Sequence, residues 1–501
     1  MKNNSKKNST ESAFWNRAQE LETLRDWWAH EPRLGVIHGR RRLGKTSLLR
    51  HWLGGTAGCY VQATEGTPAS QRTALADDLQ SVVPGFGEVV YPSWRALLDT
   101  LKRQWPARSV TPSVAGGLAA TPVLVLDEFP YLAQSAPELP SVLQAMVDAP
   151  DAKRLPIIIC GSSQRMMQGL VLNSDAPLYG RAQILLRLQP LSATEIRAAL
   201  GLPNAITAIE VYAAFGGVPR YWDLMRDRQY IKAEEALEHL VFSPQGILHD
   251  EAERVLRDEE AAALERAVCE LIGRGARRPS EMAARLGVKD TTLAKPLRHL
   301  ADLGLIERQA TYDFDSGQPV AGGRRAFYKL ADPFLAMWYA CVRPYLSGLN
   351  LGAETARQHA HEAWTHHVAA VWEDLCRQQW HRLGYQDVEW EPAGRYWASR
   401  ESTGAEWDVV SVSSDRRHVF LGECKWMKGV TSSKVGVIIH ALKNRQVPPL
   451  PGKTQVHLGL FLPAKGKLPP EMDGVAILDA ERMLGESGKI GRSMIHPKEK
   501  R

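Results

Sequence analysis

The sequence predicts an α/β protein of several domains, and three observations predict it. At 501 residues the chain is longer than one core normally supports, since single domains cluster at roughly 100–150 residues. Continuous apolar runs at 34–38, 122–126 and 155–160 have the length and composition of buried parallel strands, and segments of helical periodicity separate them. A second set of strand-like runs, at 406–412, 418–426 and 457–462, follows only after a long helix-rich stretch.

Composition bounds the function. With 44% hydrophobic and 24% charged residues the chain is globular rather than disordered. A formal charge of +6 is mildly basic for this length, which permits nucleic-acid contact without arguing for it. Cysteines 59, 160, 269, 341, 376 and 424 form no C-x-x-C pair, which argues against structural zinc or a disulfide framework and for a reducing compartment. No apolar stretch reaches the roughly 18 residues of a membrane span. The polar first residues lack the apolar core of a signal peptide. The expectation is a cytoplasmic protein with no membrane partner.

The first strand leads into Gly39-Arg40-Arg41-Arg42-Leu43-Gly44-Lys45-Thr46, and a helix-like segment opens with Thr46-Ser47. Strand, G-x-x-x-x-G-K-T loop and helix in this order predict a phosphate-binding P-loop. The glycines let the backbone wrap an anion with its N–H groups inward, Lys45 supplies a cation, and Thr46 offers a hydroxyl to Mg²⁺. Residues 39–47 are therefore the expected cradle, Ser47 included.

The helix before this strand carries Leu21, Leu24, Trp27 and Trp28 at helical spacing. A strand is expected near 59–62 and helices near 68–82 and 93–104. The run 122–126 ends in Asp127-Glu128, which puts two carboxylates at the sheet's C-terminal edge. Asp127 suits a Mg²⁺ water shell and Glu128 suits orienting and deprotonating an attacking water. The run 155–160 ends in Gly161-Ser162-Ser163, where Ser162 or Ser163 is either a sensor of the γ-phosphate or an ordinary helix cap. In Leu178-Tyr179-Gly180-Arg181, Arg181 is either an arginine finger, in cis or towards a neighbouring subunit, or an exposed loop arginine.

Further on stands Gly216-Gly217-Val218-Pro219-Arg220-Tyr221. R-R-x-G-K-T, the D-E strand end, I-x-x-G-S-S, L-Y-G-R and G-G-x-P-x-Y, in this order over about residues 10–250, resemble the archaeal-type ATPases of the AAA+/STAND group. The resemblance implies ATP and Mg²⁺ as ligands and an αβα core. It also implies a small helical lid whose G-G-x-P segment lies near the nucleotide, with Gly217 and Pro219 close to it and Asn16-Arg17 near the adenine. No further arginine is assigned as a second sensor.

Residues 258–330 have the rhythm of a winged helix: three helices, the third opened by Asp290, then strands around 305–308 and 326–330 flanking a polar wing. Pro296 is expected to kink the third helix. Lys289, Lys295, Arg298, His299, Arg324 and Arg325 would give phosphate contacts. A winged helix used only for packing on the ATPase is the alternative.

In the last third an aromatic helix near 331–339 precedes an amphipathic helix bearing Glu373, with His366-His367 read as solvated surface. Asp408 lies on one strand, and Glu423 and Lys425, two apart, share a face of the next. Helix Glu, strand Asp and strand E-x-K resemble the PD-(D/E)xK nucleases over about residues 362–465. The resemblance implies a restriction-endonuclease-like α/β domain in which Asp408 and Glu423, helped by Glu373, hold Mg²⁺, and Lys425 serves the attacking water or the phosphate.

The expected organisation is a disordered polar tail (1–11), P-loop core (12–190), helical lid (191–257), winged helix (258–332), linker helices (333–361), nuclease-like domain (362–490) and basic tail (491–501). The expected activity is a Mg²⁺-dependent ATPase coupled to DNA binding or processing. The alternatives are a DNA-binding or signalling scaffold with an inert nuclease fold, or an NTPase that remodels a protein partner. A homo-oligomer stays open.

Overall fold

In the computed structural model, residues 17–106, 121–150, 155–320, 327–398, 406–450 and 452–485 are described. The two expected tails, Asn16, Arg324 and Arg325 lie outside them. The described chain divides into two units. One runs to Pro190 and includes Val218–Asp223; the other comprises Leu191–Gly217 and the chain from Leu224 onward.

In the first unit, β1 (Leu34–His38), β2 (Gly58–Gln62), β3 (Val123–Asp127), β4 (Ile157–Gly161) and β5 (Ile184–Arg187) form one sheet in the order β2-β3-β4-β1-β5. Every pairing is parallel. β1, β3 and β4 are buried at each position, which is why they read as unbroken Val/Ile/Leu runs. β2, at the edge, alternates instead. Parallel strands bring their C-terminal ends to one edge. The loops after β1, β3 and β4 therefore converge there. A core of Trp94, Trp105, Phe86 and Phe129 with leucines of the helices Pro68–Leu79 and Trp94–Gln104 backs this sheet.

In the second unit the expected lid, linker and C-terminal segments share one interior. His249 bridges the Val241 carbonyl and Asn350 Oδ1, each at 2.8 Å, and Trp338 Nε1 donates to the His249 carbonyl at 2.6 Å. Glu481, on the last described helix, accepts from Arg197 at 2.6 Å and from the Ala205 amide at 2.9 Å. The expected boundary at 361/362 falls inside a single helix, Glu354–Trp380. The reason is a stripe of Ala356, Ala360, Trp364, Val368, Val371, Trp372 and Leu375, all buried, which continues across it. His367 lies on that stripe and is buried, with Nε2 2.9 Å from the Ala213 carbonyl, which corrects the expectation of a solvated pair. Burial holds its pKa down at about 4.

Helices Ala263–Gly273, Pro279–Leu286 and Asp290–Asp302 precede an antiparallel strand pair, Ile306–Gln309 with Phe327–Leu330. The third helix runs on through Pro296. Between the strands lies a hairpin, Tyr312–Asp313 with Gln318–Pro319. It is not a free wing. Tyr312 and Phe314 are buried in the core of the C-terminal sheet beside Trp407 and Val412, because two aromatic rings in one short turn are costly to leave in water.

The C-terminal sheet has the order Gly394–Tyr396, Trp407–Val412, His418–Cys424, Gln455–Leu462, Val475–Asp479, Glu471–Met472. Its outer pairings are antiparallel, and those on either side of Gln455–Leu462 are parallel. Among the described residues no single helix is long and apolar enough to cross a membrane.

Candidate functional site

The P-loop begins where β1 ends. Gly39 has φ +145°, and a Cβ there would lie 2.7 Å from the Leu188 carbonyl oxygen, so only glycine fits. Gly44 takes φ +85° and caps the helix Lys45–Leu53. Arg42 also adopts a left-handed backbone, φ 70°, the kind of strain that collects at ligand clamps. Lys45 is buried, and its Nζ donates to the carbonyls of Gly39 at 2.7 Å and Arg40 at 2.9 Å. Leu43 is buried, and its carbonyl accepts from Arg17 Nη2 at 3.0 Å. Arg40 is buried, Ser47 is exposed, and Arg41 donates to Tyr131 Oη at 3.1 Å.

Thr46, Asp127, Glu128 and Ser162 meet at the same edge. Thr46 Oγ1 donates to Asp127 Oδ2 at 2.6 Å. The Glu128 amide donates to Asp127 Oδ1 at 2.9 Å. Glu128 stands in the left-handed region, φ 54°, and that turn aims its carboxylate at Ser162 Oγ, 2.9 and 2.8 Å away. Ser163, not Ser162, caps the next helix. Pro219 sits over the loop: its Cγ is 3.8 Å from where a Cβ on Gly44 would be. Gly217 packs instead on Leu191, whose carbonyl oxygen is 1.9 Å from the position of a Cβ.

Arg181 is not part of this cluster. It precedes β5, at the N-terminal edge of a parallel sheet, and pairs with Asp148 at 2.9 Å beside a cleft of about 790 Å³. A finger acting in cis is incompatible with that placement, because the P-loop is on the opposite edge.

Sequence reasoning missed three neighbours. Tyr60 Oη donates to Asp127 Oδ2 at 2.5 Å; burial and then that hydrogen bond push its pKa well up, so it stays a donor. His38 ends β1, and its pKa is held at about 4 by burial, then by Arg187 and Lys45. Arg187 ends β5 directly beside it. The strand ends were readable in the sequence; which side chains turned inward needed the register.

Thr46 and Asp127 offer hard oxygens at the mouth of a phosphate loop, the donor chemistry that Mg²⁺ takes.

A second charged cluster lies on the C-terminal sheet, and it brings Glu373, Asp408, Glu423 and Lys425 together. Glu423 Oε1 is 2.6 Å from Lys425 Nζ, and its Oε2 is 2.5 Å from Arg445 Nη1. Asp408 Oδ2 accepts from the Cys424 amide at 3.0 Å, and Arg395 stands 3.8 Å from its Oδ1. Arg395 also lies 3.5 Å from Glu373. Burial, then the Asp408 charge, raises the Glu373 carboxyl to about 7. Burial, then Glu423, raises Asp408. Burial opposes ionisation of Glu423 too, but its bonds to Arg445 and Lys425 outweigh that and hold its pKa down. Among the described residues no group of three or more His, Cys, Asp or Glu side chains is placed to hold a metal. Both oxygens of Glu423, expected with Asp408 as a Mg²⁺ ligand, face cationic side chains, Lys425 and Arg445.

The fold and the nucleotide edge of the first unit are those of a P-loop ATPase domain. Residues 14–223 match a family of ATPase domains described as predominantly from Archaea, and residues 338–438 match a family described as archaeal and bacterial proteins of unknown function. An uncharacterized protein of Methanocaldococcus jannaschii is 23% identical over 421 residues, covering 82% of this chain and 87% of its own. Among solved structures, the Walker-type ATPase of Pyrococcus abyssi is similar with a TM-score of 0.48 at 18% identity, over 65% of this chain and 96% of that one. The Aeropyrum pernix ORC2 protein, in its ADPNP–ADP complexes, gives 0.40 at 14% identity, over 71% and 96%.

Proposed function

We propose that this P-loop ATPase hydrolyses ATP with Mg²⁺ and couples the cycle to DNA binding. The observation that carries the ATPase chemistry is the convergence of Lys45, Thr46–Asp127 and Glu128–Ser162 on one sheet edge. On binding, Lys45 exchanges the Gly39 and Arg40 carbonyls for the terminal phosphates. Thr46 and Asp127 would hold Mg²⁺, which supplies charge neutralisation along the phosphates. Glu128, aimed by Ser162, orients and deprotonates the attacking water. Pro219, against Gly44, would feel the loop change and pass it along the chain into the second unit.

The DNA reading rests on the helix Asp290–Asp302. Thr291, Thr292, Lys295 and Arg298 are exposed along one side of it, as is Lys289 just before it, in a three-helix and two-strand arrangement like that of winged helices. His299 is taken by Glu265 at 2.7 Å and is not counted among the phosphate contacts. The α/β C-terminal sheet with its Asp408, Glu423 and Lys425 supports a restriction-endonuclease-like fold. The arginines paired with its carboxylates favour, as the second reading, a fold kept for binding without cleavage.

The test incubates full-length protein with duplex and plasmid DNA, with and without ATP and Mg²⁺, beside Lys45→Ala, Glu128→Gln, Asp408→Ala and Lys295→Ala/Arg298→Ala. Hydrolysis lost in the first two variants, and ATP-dependent DNA retention weakened in the last, supports the proposal. Cleavage lost in Asp408→Ala restores the nuclease. Hydrolysis without DNA retention points to a protein partner.

A further inference from the structure

The edge strand β2 delivers a phenol to the nucleotide site. Tyr60 pairs in register with Val125, two residues before Asp127, and its ring meets Arg50 of the helix Lys45–Leu53. Arg50 of that helix lies over the ring, 4.8 Å from its centre, and helps fix its plane.

Asp127 is fully buried, and a carboxylate there costs several kcal/mol unless it is paired or hydrogen-bonded. Its amide and hydroxyl donors divide unequally. Oδ1 takes one backbone amide, at 2.9 Å. Oδ2 takes two hydroxyls, Thr46 at 2.6 Å and Tyr60 at 2.5 Å. Thr46 belongs to the loop and must adjust when phosphate and cation arrive. Tyr60 belongs to the sheet and need not.

We propose that Tyr60 is a positioning residue of the metal–nucleotide site: its hydroxyl pins Oδ2 of Asp127 so that the carboxylate keeps one orientation while the P-loop closes on its ligand. This rests on the reading that Asp127 and Thr46 serve a divalent cation. Removing the hydroxyl leaves the ring, its packing and the loop in place but frees the carboxylate to turn. Supporting partners of this kind typically contribute about 10- to 100-fold in metal affinity or activity.

The test compares full-length wild type, Tyr60→Phe and Asp127→Asn. Mn²⁺ binding in the presence of ADP is followed by the loss of the free-ion paramagnetic resonance signal. Binding of a fluorescent ADP in EDTA and thermal unfolding are measured alongside. Tyr60→Phe is expected to weaken Mn²⁺ binding about tenfold or more and to raise the half-saturating Mg²⁺ for hydrolysis, with metal-free nucleotide affinity unchanged. Wild-type Mn²⁺ affinity in Tyr60→Phe overturns the proposal. So does an equal loss of metal-free nucleotide affinity and thermal stability, which marks a packing role. If Asp127→Asn binds Mn²⁺ like the wild type, the cation site itself has been misread, and that outcome is separate from the other two.

Discussion

Ser162 Oγ lies 2.9 and 2.8 Å from the two carboxylate oxygens of Glu128, so a hydroxyl from the end of β4 spans an acid from the end of β3. Glu128 pays for this reach with a left-handed backbone.

Ser162→Ala should lower kcat about 10- to 100-fold with KM for ATP little changed, since one hydrogen bond to a charged group contributes roughly 1.5–3 kcal/mol. Glu128→Gln should cost more, about 100- to 10,000-fold, the range for a general base. Steady-state hydrolysis with a parallel nucleotide-binding assay checks both. A raised KM at constant kcat would assign the pair to binding.

How much of this could be read beforehand varies along the chain. The P-loop, Asp127 and Glu128 were legible because each closes a continuous apolar run, so strand and motif specify each other. Ser162 was legible only as one of two candidates, and geometry separates the cap from the partner of Glu128. Tyr60 gave no signal: an aromatic residue in an edge strand is ordinary until its hydroxyl is seen to reach Asp127, two residues beyond its register partner. The arginines around Asp408 and Glu423 were equally silent, since Arg395 and Arg445 come from segments outside the strand motif. For Arg181 the two expectations, finger or exposed loop arginine, separate only once β5 is seen to pair parallel to β1, which puts the loop before it at the edge away from the P-loop.

Stability should fall as pH drops from about 6.5 to about 4. His38 and His367 are held at about 4, and His457 is lowered by burial and then by His418. The unfolded chain binds protons on these groups first, so each pulls the equilibrium towards unfolding through that window. Glu373 acts in the opposite sense. Raised to about 7, it binds its proton in the folded state first and adds stability as pH falls from 7 towards its ordinary value. Urea midpoints at pH 7 and 5 should therefore drop for the wild type, and drop further for Glu373→Gln. Equal midpoints would contradict the buried neutral histidines.

Arg445→Ala removes the cation 2.5 Å from Glu423 and leaves Lys425 as its near partner. The carboxyl pKa should rise, and calorimetric titration with Mn²⁺ should show binding absent or weaker in the wild type. Tighter Mn²⁺ binding by the wild type than by Arg445→Ala would mean that the arginine supports a cation site rather than fills it.

Lys295→Ala and Arg298→Ala should weaken duplex DNA binding to a similar degree for unrelated sequences. Each should reduce the slope of log affinity against log salt by about one, as loss of a phosphate contact does. An unchanged slope would remove that helix face from the interface.

Glu481 completes the N-terminus of the helix Ala205–Phe215 from 276 residues downstream, and it meets Arg197 across 284. On the ribosome, helices that follow the ATPase core directly therefore wait for almost the whole remaining chain before the last of their partners exists. Contacts of such long sequence separation slow folding. The part of the Ala205–Phe215 surface that the last helix covers stays open during that interval, to chaperones and to aggregation. A chain truncated before Glu481 would keep its nucleotide loop yet lose the cap on Ala205–Phe215 and the pair with Arg197, so part of the damage of a late truncation should appear early in the sequence.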